Sequence, residues 1–481
     1  MGVVADLAGS AALLSWDRET LMPPGGADGR ARQLGTLAAL HHRELVREDA
    51  GDALAALAGS DGLDEEARAA VRLAIRDRDR ALRVPETLVR ELSEARSRCV
   101  MAWVDARESD DFSAYAGPLS RVVELKRREA EAIGTGDEPY DALLDAFEPG
   151  ATAADLEPVF TDLRARLTPL VGRASATGPA ELPERTWDEG GQMRIARVIA
   201  EMVGFDLTRG LIATSAHPFT GGGHRGDVRF TTRTDPASPL SNISAVMHEL
   251  GHALYEQGFP ASADRTPVHD APSLGAHESQ SRFWENQVGR TPAFWERLEP
   301  SMREVFPEAM AGVDASLLCR ASRVVQPSLI RVEADEVTYN LHIVLRFGLE
   351  LAMIRGDLAV TDLPDAFADG MEDVLGIRPP TTALGAMQDI HWAEGLFGYF
   401  PTYTLGNLYS AQLADAATEE LGDLQLLIGE GRFDAILGFM RDRIHRHGAT
   451  LPTPELMRRA TGRELSSDAL ISHLERGYVT G

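Results

Sequence analysis

The stretch His248-Glu249-Leu250-Gly251-His252 decides how the rest of the chain is interpreted. Two histidines four residues apart lie on one face of an α-helix, so both imidazoles can reach a single metal ion. Glu249 stands beside the first histidine and can face a water on that ion without being a ligand. A helix with one apolar face is indicated by the surrounding residues Ile243, Val246, Met247, Leu250 and Leu254. The pattern is typical of the HExxH site of a zinc peptidase.

The third metal ligand must come from another part of the chain, because no metzincin-type histidine follows the motif. A catalytic zinc site usually has three protein ligands and one water. The best candidate is Glu278 in His277-Glu278-Ser279-Gln280, at the start of a second helix predicted from Ala276 to Gln287. Gly251 costs about 1 kcal/mol in a helix relative to alanine, so we expect it to permit close packing near the metal. We therefore expect one Zn²⁺ per chain, with Co²⁺ as the alternative metal.

Composition excludes several classes of protein. The 481 residues are 44% hydrophobic, which is enough to build a large core. Acidic residues outnumber basic ones by 74 to 48, so nucleic acid and anionic membranes are excluded as partners. The two cysteines, Cys99 and Cys319, exclude a disulfide framework and favour a reducing, cytoplasmic setting. We expect neither a signal peptide nor a membrane-spanning segment.

The fold class is expected to be mostly α. Helical patterns fill residues 1–203, short strands are predicted at about 211–233, the metal-site helices at 242–290, and further helices at 320–481. The glycine-rich stretch 221–226 is predicted as a turn between strands at 211–219 and 227–233, giving a hairpin or small sheet beside the HExxH helix. No composition shift marks a boundary, so residues 1–481 are expected to form a single domain.

Six short stretches occur in a fixed order along the chain: His217-Pro218-Phe219, Asp227-Val228-Arg229-Phe230-Thr231, His248 to His252, His277 to Gln280, Ile330-Arg331-Val332-Glu333-Ala334-Asp335, and Gly385-Ala386-Met387-Gln388-Asp389-Ile390-His391-Trp392. They resemble the HPF, DxRxT, HExxH, HES/GQ, IRxxAD and GxxQDxHW signatures of the thermostable carboxypeptidase Taq (M32) family of metallocarboxypeptidases. No motif position departs from the pattern. One matching motif could be coincidence, whereas six in order could not plausibly be.

The resemblance implies a large helical fold of the zincin and neurolysin type, with a deep substrate cleft. It also implies a homodimer that releases C-terminal amino acids from peptides with broad specificity. Glu278 is supported as the third metal ligand and Glu249 as the catalytic carboxylate.

A carboxypeptidase must bind the free α-carboxylate of its substrate, and a guanidinium does this best through two parallel hydrogen bonds. Arg331 is the first candidate and Arg378 the second. Either could instead form a structural ion pair, and Arg331 could pair with Glu333 or Asp335.

The tetrahedral intermediate needs hydrogen-bond donors for its oxyanion. Tyr403 is the first candidate, followed by Tyr399, His217 and His391, although each could simply be packed in the core. Two further polar residues precede the HExxH helix. Asp227 and Arg229 could lie on an edge strand that holds the substrate backbone, or they could pair with each other. Asp389 could orient His391 or a metal ligand.

Two alternatives stay open at this point. One is an endo-acting zinc oligopeptidase on a similar scaffold, which C-terminal amidation of the substrate would distinguish from a carboxypeptidase. The other is a catalytically silent helical protein that binds peptides. The presence of every catalytic residue type argues against the second alternative.

Overall fold

A computed structural model describes residues 1–134, 136–175 and 180–479. Helices make up most of the described chain before Val203, as predicted. They are α1 (Gly2–Thr20), α2 (Ala27–Leu45), α3 (Glu48–Ala58), α4 (Glu65–Arg83), α5 (Glu86–Ser109), α6 (Phe112–Ile133), α7 (Pro139–Leu144), α8 (Ala153–Ala174) and α9 (Glu189–Val203).

Three short strands and a second set of helices follow. The strands are β1 (Gly210–Thr214), β2 (Thr220–His224) and β3 (Asp227–Thr232). The helices are α10 (Leu240–Gly258), α11 (Leu274–Arg282), α12 (Pro292–Val305), α13 (Ala315–Ala321), α14 (Tyr339–Arg355), α15 (Leu363–Leu375), α16 (Pro401–Leu421), α17 (Leu424–Gly429), α18 (Phe433–Arg443), α19 (Thr453–Thr461) and α20 (Asp468–Tyr478). The mostly helical class with a small sheet before the HExxH helix is confirmed.

The sheet has the order β1-β3-β2, with β1 parallel and β2 antiparallel to β3. The predicted glycine-rich turn is wrong in its extent, because residues 221–223 belong to β2 and only Arg225-Gly226 turn into β3. A Cβ atom on Gly222 would lie 2.0 Å from the carbonyl oxygen of Asp227, and one on Gly223 would lie 2.9 Å from Cα of Gly9 in α1. Glycine therefore lets β2 pass closely between β3 and α1.

The second metal-site helix differs from its prediction. The α-helical part ends at Arg282, and Phe283–Val288 continue as a π-helix, closed by a hydrogen bond from the Gly289 amide to the Trp284 carbonyl oxygen. Such wide turns are rare and occur often at functional sites. Ser273 caps α11 by accepting a hydrogen bond from the Ala276 amide.

Two glycines allow three helices to meet at the metal site. A Cβ atom on Gly251 of α10 would lie 2.4 Å from the carbonyl oxygen of Gln280 in α11. A Cβ atom on Gly406 of α16 would lie 2.4 Å from Cγ of Glu278. The helix that carries Glu278 is thus held between α10 and α16, and the close packing expected at Gly251 is confirmed.

Among the described residues, one main apolar core extends from Leu88 to Tyr478. Two smaller clusters include residues of α4, which packs against α3 in one and against Ala263 and Val268 in the other. A single core that joins the strands and the helices on both sides of them supports the predicted single domain. Cys99 and Cys319 are buried free thiols. Across the described ranges, each helix is too short or too polar to cross a membrane.

Candidate metal centre and active site

Three side chains offer ligand atoms that all lie within 4.8 Å of one another, and they are His248, His252 and Glu278. Glu278 Oε2 lies 3.5 Å from Nε2 of His248 and 3.3 Å from Nε2 of His252. All three side chains keep 9 to 20% of their surface exposed, so an ion and a substrate could reach them. The structure therefore brings together the three residues that the sequence predicted as ligands.

The second ring nitrogen of each histidine has a partner of its own. Nδ1 of His248 lies 2.9 Å from Oε2 of Glu285 in the π-helix. Nδ1 of His252 lies 2.6 Å from Nδ1 of His277, the residue before Glu278. Such contacts fix the tautomer and leave both Nε2 atoms available to a metal.

Arg282 supplies the positive charge closest to the ligand carboxylate. Its guanidinium donates to Glu278 Oε1 at 2.7 Å and to Glu285 Oε2 at 3.1 Å, while the Ser281 hydroxyl donates to Glu278 Oε2. Burial opposes ionisation of Glu278, but Arg282 and His248 outweigh it and hold the pKa of this carboxyl well below its usual range. Glu278 is therefore an anion, the form in which a carboxylate binds a metal.

Glu249 lies on the same turn of α10 and is buried. Burial raises the pKa of its carboxyl above the usual value, against the opposing effects of His248 and of a hydrogen bond from the Thr220 hydroxyl. That hydroxyl donates to Glu249 Oε2 at 2.8 Å. A carboxyl group with a raised pKa beside His248 on the HExxH helix has the properties of a general base.

Two of the six motifs hold Thr220 in this position. The Thr231 hydroxyl accepts a hydrogen bond from the Phe219 amide at 3.0 Å, and the Thr231 amide donates to the Phe219 carbonyl oxygen at 2.9 Å. The segment that contains His217-Pro218-Phe219 is thereby fastened to β3, directly before Thr220.

The last two motifs meet in a buried ion cluster. Arg331 donates from Nε and Nη2 to Oδ1 of Asp389, at 3.0 and 2.7 Å, and Arg346 donates to Oδ2 at 2.7 Å. The partner of Arg331 is thus Asp389 rather than Glu333 or Asp335. Burial raises the pKa of Asp389, but the two guanidinium groups outweigh it and hold that pKa well below its usual range.

Four aromatic side chains connect this cluster to the metal group. Tyr339 accepts a hydrogen bond from Arg331 at 3.1 Å, and its ring lies 4.7 Å from the Arg282 guanidinium carbon. His391 Nε2 lies 3.4 Å from the Tyr403 hydroxyl, and Tyr399 packs against both rings. Burial raises the pKa of Tyr399 and of Tyr403, and the negative charge of Glu278 adds to the rise at both phenols.

Arg378 and His217 both have exposed side chains. Arg378 is half-exposed and ion-paired with Asp369 and Glu372. His217 is exposed between β1 and β2, and its carbonyl oxygen accepts a hydrogen bond from Ser215.

The edge-strand expectation for Asp227 and Arg229 is wrong. They lie on β3, the middle strand, whose two edges are occupied by β1 and β2. Their side chains pair with each other at 2.7 and 2.8 Å, and the Arg229 guanidinium carbon lies 4.8 Å from the Trp16 ring centroid.

Sequence reasoning did not find Thr220, Arg282, Glu285 or Tyr339. Arg282 and Glu285 follow Glu278 at spacings of four and seven, which lie on one helix face and could have indicated contacts with the candidate ligand side chains. Thr220 directly follows a motif, but nothing in its local sequence indicates contact with Glu249.

Comparison with known proteins identifies the family. The family model described as Carboxypeptidase Taq (M32) metallopeptidase matches residues 2–478. The chain belongs to the M32 family. Thermostable carboxypeptidase 1 of Thermus thermophilus is 42% identical over 490 residues, covering 99% of this chain and 96% of that protein. Carboxypeptidase 1 of Bacillus subtilis is 34% identical, with coverages of 97% and 94%.

Solved M32 structures share the fold. The crystal structure of the M32 carboxypeptidase from Deinococcus radiodurans R1 aligns with a TM-score of 0.97 at 37% identity, covering 99% of this chain and 97% of the other. The resemblance inferred from the six motifs is confirmed. M32 membership makes the chain a hydrolase acting on peptides, supports metallocarboxypeptidase activity and implies a metal ion.

Proposed function

We propose that this M32 protein is a zinc-dependent carboxypeptidase that releases C-terminal amino acids one at a time. The observation that carries the proposal is the convergence of His248, His252 and Glu278, with Glu249 on the same helical turn. Two imidazole nitrogens and one carboxylate oxygen form a donor set that suits a catalytic zinc ion, and Co²⁺ could replace it. The residues fit the metal, because each Nε2 is unblocked while each Nδ1 has a partner.

A divalent ion held by these ligands would polarise the scissile carbonyl and acidify water. Glu249 accepts a proton from the attacking water as the water oxygen bonds to the carbonyl carbon. When the carbon–nitrogen bond breaks, Glu249 delivers that proton to the nitrogen of the leaving amino acid. The Thr220 hydroxyl orients the Glu249 carboxylate through its 2.8 Å hydrogen bond.

Tyr403 and His391 are proposed as donors to the oxyanion. Burial, followed by the neighbouring Tyr399, raises the pKa of Tyr403 well above its usual value, so the phenol stays protonated and can donate. Burial and Arg331 lower the pKa of His391 to about 4, so its ring is neutral near pH 7. A neutral imidazole retains one N–H to donate. His217 is a weaker candidate because its side chain is exposed.

Arg331 is proposed to attract the substrate carboxylate, in preference to the half-exposed Arg378. Its guanidinium carbon lies 5.1 Å from the Tyr403 ring centroid, so its charge is located beside the proposed oxyanion donors. Asp389 and Tyr339 occupy three of its five N–H groups. We therefore propose that Arg331 acts partly through the electrostatic field of its charge, with Tyr399 completing the carboxylate pocket.

The start of β2 at Thr220 and Gly221, before α1 approaches the strand at Gly223, is the proposed place for the substrate backbone, because β3 has no free edge. β2 begins at Thr220, beside Glu249, and so lies close to the reacting bond. Asp227 and Arg229 would then support β2 from the neighbouring strand.

A matched pair of peptides tests the proposal. The two peptides share one sequence, and one carries a free C-terminal carboxylate while the other carries an amide. The zinc-loaded enzyme should remove residues from the first and leave the second intact. Equal cleavage of both peptides at internal bonds would favour the endo-acting alternative.

Glu249→Gln should keep the metal and lose hydrolysis, and unchanged turnover in that variant would contradict the role given to Glu249.

Broad specificity, a deep substrate cleft, a homodimer and a cytoplasmic location stay predictions.

A further inference from the structure

His277 is the one ionisable residue of the His277-Glu278-Ser279-Gln280 motif that the proposed reaction leaves without a role. It precedes the ligand Glu278, yet it does not belong to the group of three ligand side chains. Its Nδ1 instead lies 2.6 Å from Nδ1 of His252, a distance at which one nitrogen must donate a proton and the other accept it.

The direction of this hydrogen bond follows from the position of the ligand atoms. Nε2 of His252 faces Glu278 Oε2 at 3.3 Å and is the nitrogen that a metal would use. A neutral imidazole with a free lone pair on Nε2 carries its proton on Nδ1. His252 therefore donates and His277 accepts. The proton of His277 then lies on Nε2, which faces the carboxylate of Glu256 at 3.6 Å.

We propose that His277 is a positioning residue that fixes the tautomer and ring orientation of His252, and that Glu256 in turn fixes His277. The inference rests on the proposed metal site. The two histidine ligands are then held by different groups, because His248 is held by the Glu285 carboxylate and His252 by the imidazole of His277. His277 thus holds His252 by a hydrogen bond, as the Glu285 carboxylate holds His248.

Packing keeps His277 in place for this role. Its ring centroid lies 4.5 Å from that of His252, with the planes tilted by 32°, and 5.5 Å from that of Tyr255. Tyr255 is fully buried and packs in turn against Phe259 and His445. Because the ring is confined on this side, Nδ1 keeps its direction toward His252 instead of turning to solvent.

Three substitutions distinguish a role of His277 in positioning His252 from a general role in packing. His277→Ala removes the acceptor. His277→Asn places an amide oxygen near the position of Nδ1, so it can still accept from His252. His277→Gln carries its oxygen one bond further, near the position of Nε2, and is the matched control of similar polarity. The affinity of each purified variant for Zn²⁺ is measured by competition with a chromophoric chelator, and Co²⁺ spectra report the ligand geometry.

His277→Ala should bind Zn²⁺ about 10- to 100-fold more weakly than the wild type, with an altered Co²⁺ spectrum. His277→Asn should recover most of that loss, and His277→Gln should not. The thermal midpoint of each metal-free variant reports whether the chain is folded. If His277→Ala does not fold, the comparison of Asn with Gln decides the question alone.

Wild-type affinity in all folded variants, or equal affinity of the Asn and Gln variants, would overturn the role of His277. A wild-type chain that binds no Zn²⁺ would instead overturn the proposed metal site itself, so the two failures are distinguishable.

Discussion

Gly251→Ala is expected to weaken metal binding even though the added methyl group touches no ligand. The new Cβ would lie 2.4 Å from the carbonyl oxygen of Gln280 and 2.6 Å from Cα of Ser281, where an unstrained contact needs at least 3.4 Å. Both atoms belong to the α11 backbone, so the helix itself must move away by about 1 Å. Glu278 lies on that helix and would move with it.

The expected free-energy change combines two opposing effects. Forcing a methyl group into a closely packed contact costs about 1 to 3 kcal/mol. Replacing glycine by alanine within a helix returns about 1 kcal/mol. The net loss of unfolding free energy is therefore at most about 2 kcal/mol, and the chain should stay folded. Displacement of one ligand by about 1 Å should lower Zn²⁺ affinity by at least 10-fold, as the loss of a hydrogen-bond partner of a metal ligand does.

The assay compares chelator competition and thermal unfolding for Gly251→Ala and for a control, Gly438→Ala in α18. A Cβ on Gly438 meets no atom within 4 Å, so this variant should gain up to about 1 kcal/mol and bind Zn²⁺ normally. If Gly251→Ala matches this control in both measurements, the close approach of α10 and α11 does not position Glu278.

Three further outcomes are expected. Burial raises the pKa of the Glu148 carboxyl to about 8, so the contribution of this group to stability is fully present below about pH 4.5 and falls by up to about 1.4 kcal/mol per pH unit as the pH rises toward 8. Glu148→Gln should flatten this dependence in thermal unfolding measured across that range, and an unchanged slope would refute the assignment. Arg331→Lys keeps the charge but loses the planar fork, so the KM of free-carboxylate peptides should rise at least 10-fold, whereas an unchanged KM would exclude Arg331 from carboxylate recognition. Thr220→Val should lower kcat/KM by about 10-fold or more, because Glu249 loses a charge-assisted hydrogen bond, while Zn²⁺ affinity should stay the same.

The ligands could be predicted because local spacing determines them. His248 and His252 share a helix face whatever surrounds the helix, and Glu278 lies in the next helical segment. Gly251 inside the motif also indicated close packing, because a helix tolerates a glycine poorly unless a neighbour requires it. The structure agrees with these three expectations.

Contacts between segments far apart in the chain could not be predicted from local spacing. Arg331 has acidic residues two and four positions away, yet its partner is Asp389, 58 residues further along the chain. The glycine-rich stretch 221–226 is typical of a turn, but four of its six residues form a strand that pairs with β3 and contacts α1. The π-helix that places Glu285 beside His248 likewise depends on packing around the whole site.

The most direct test of the proposed activity combines metal analysis with time-resolved mass spectrometry of one unblocked peptide. The purified chain should contain one zinc ion, or bind one on titration, and the peptide should shorten by one residue at a time from its C-terminus. Chelation should stop the reaction, and added Zn²⁺ should restore it. Internal fragments, loss of residues from the N-terminus, or an undiminished rate in the metal-free protein would contradict the proposal.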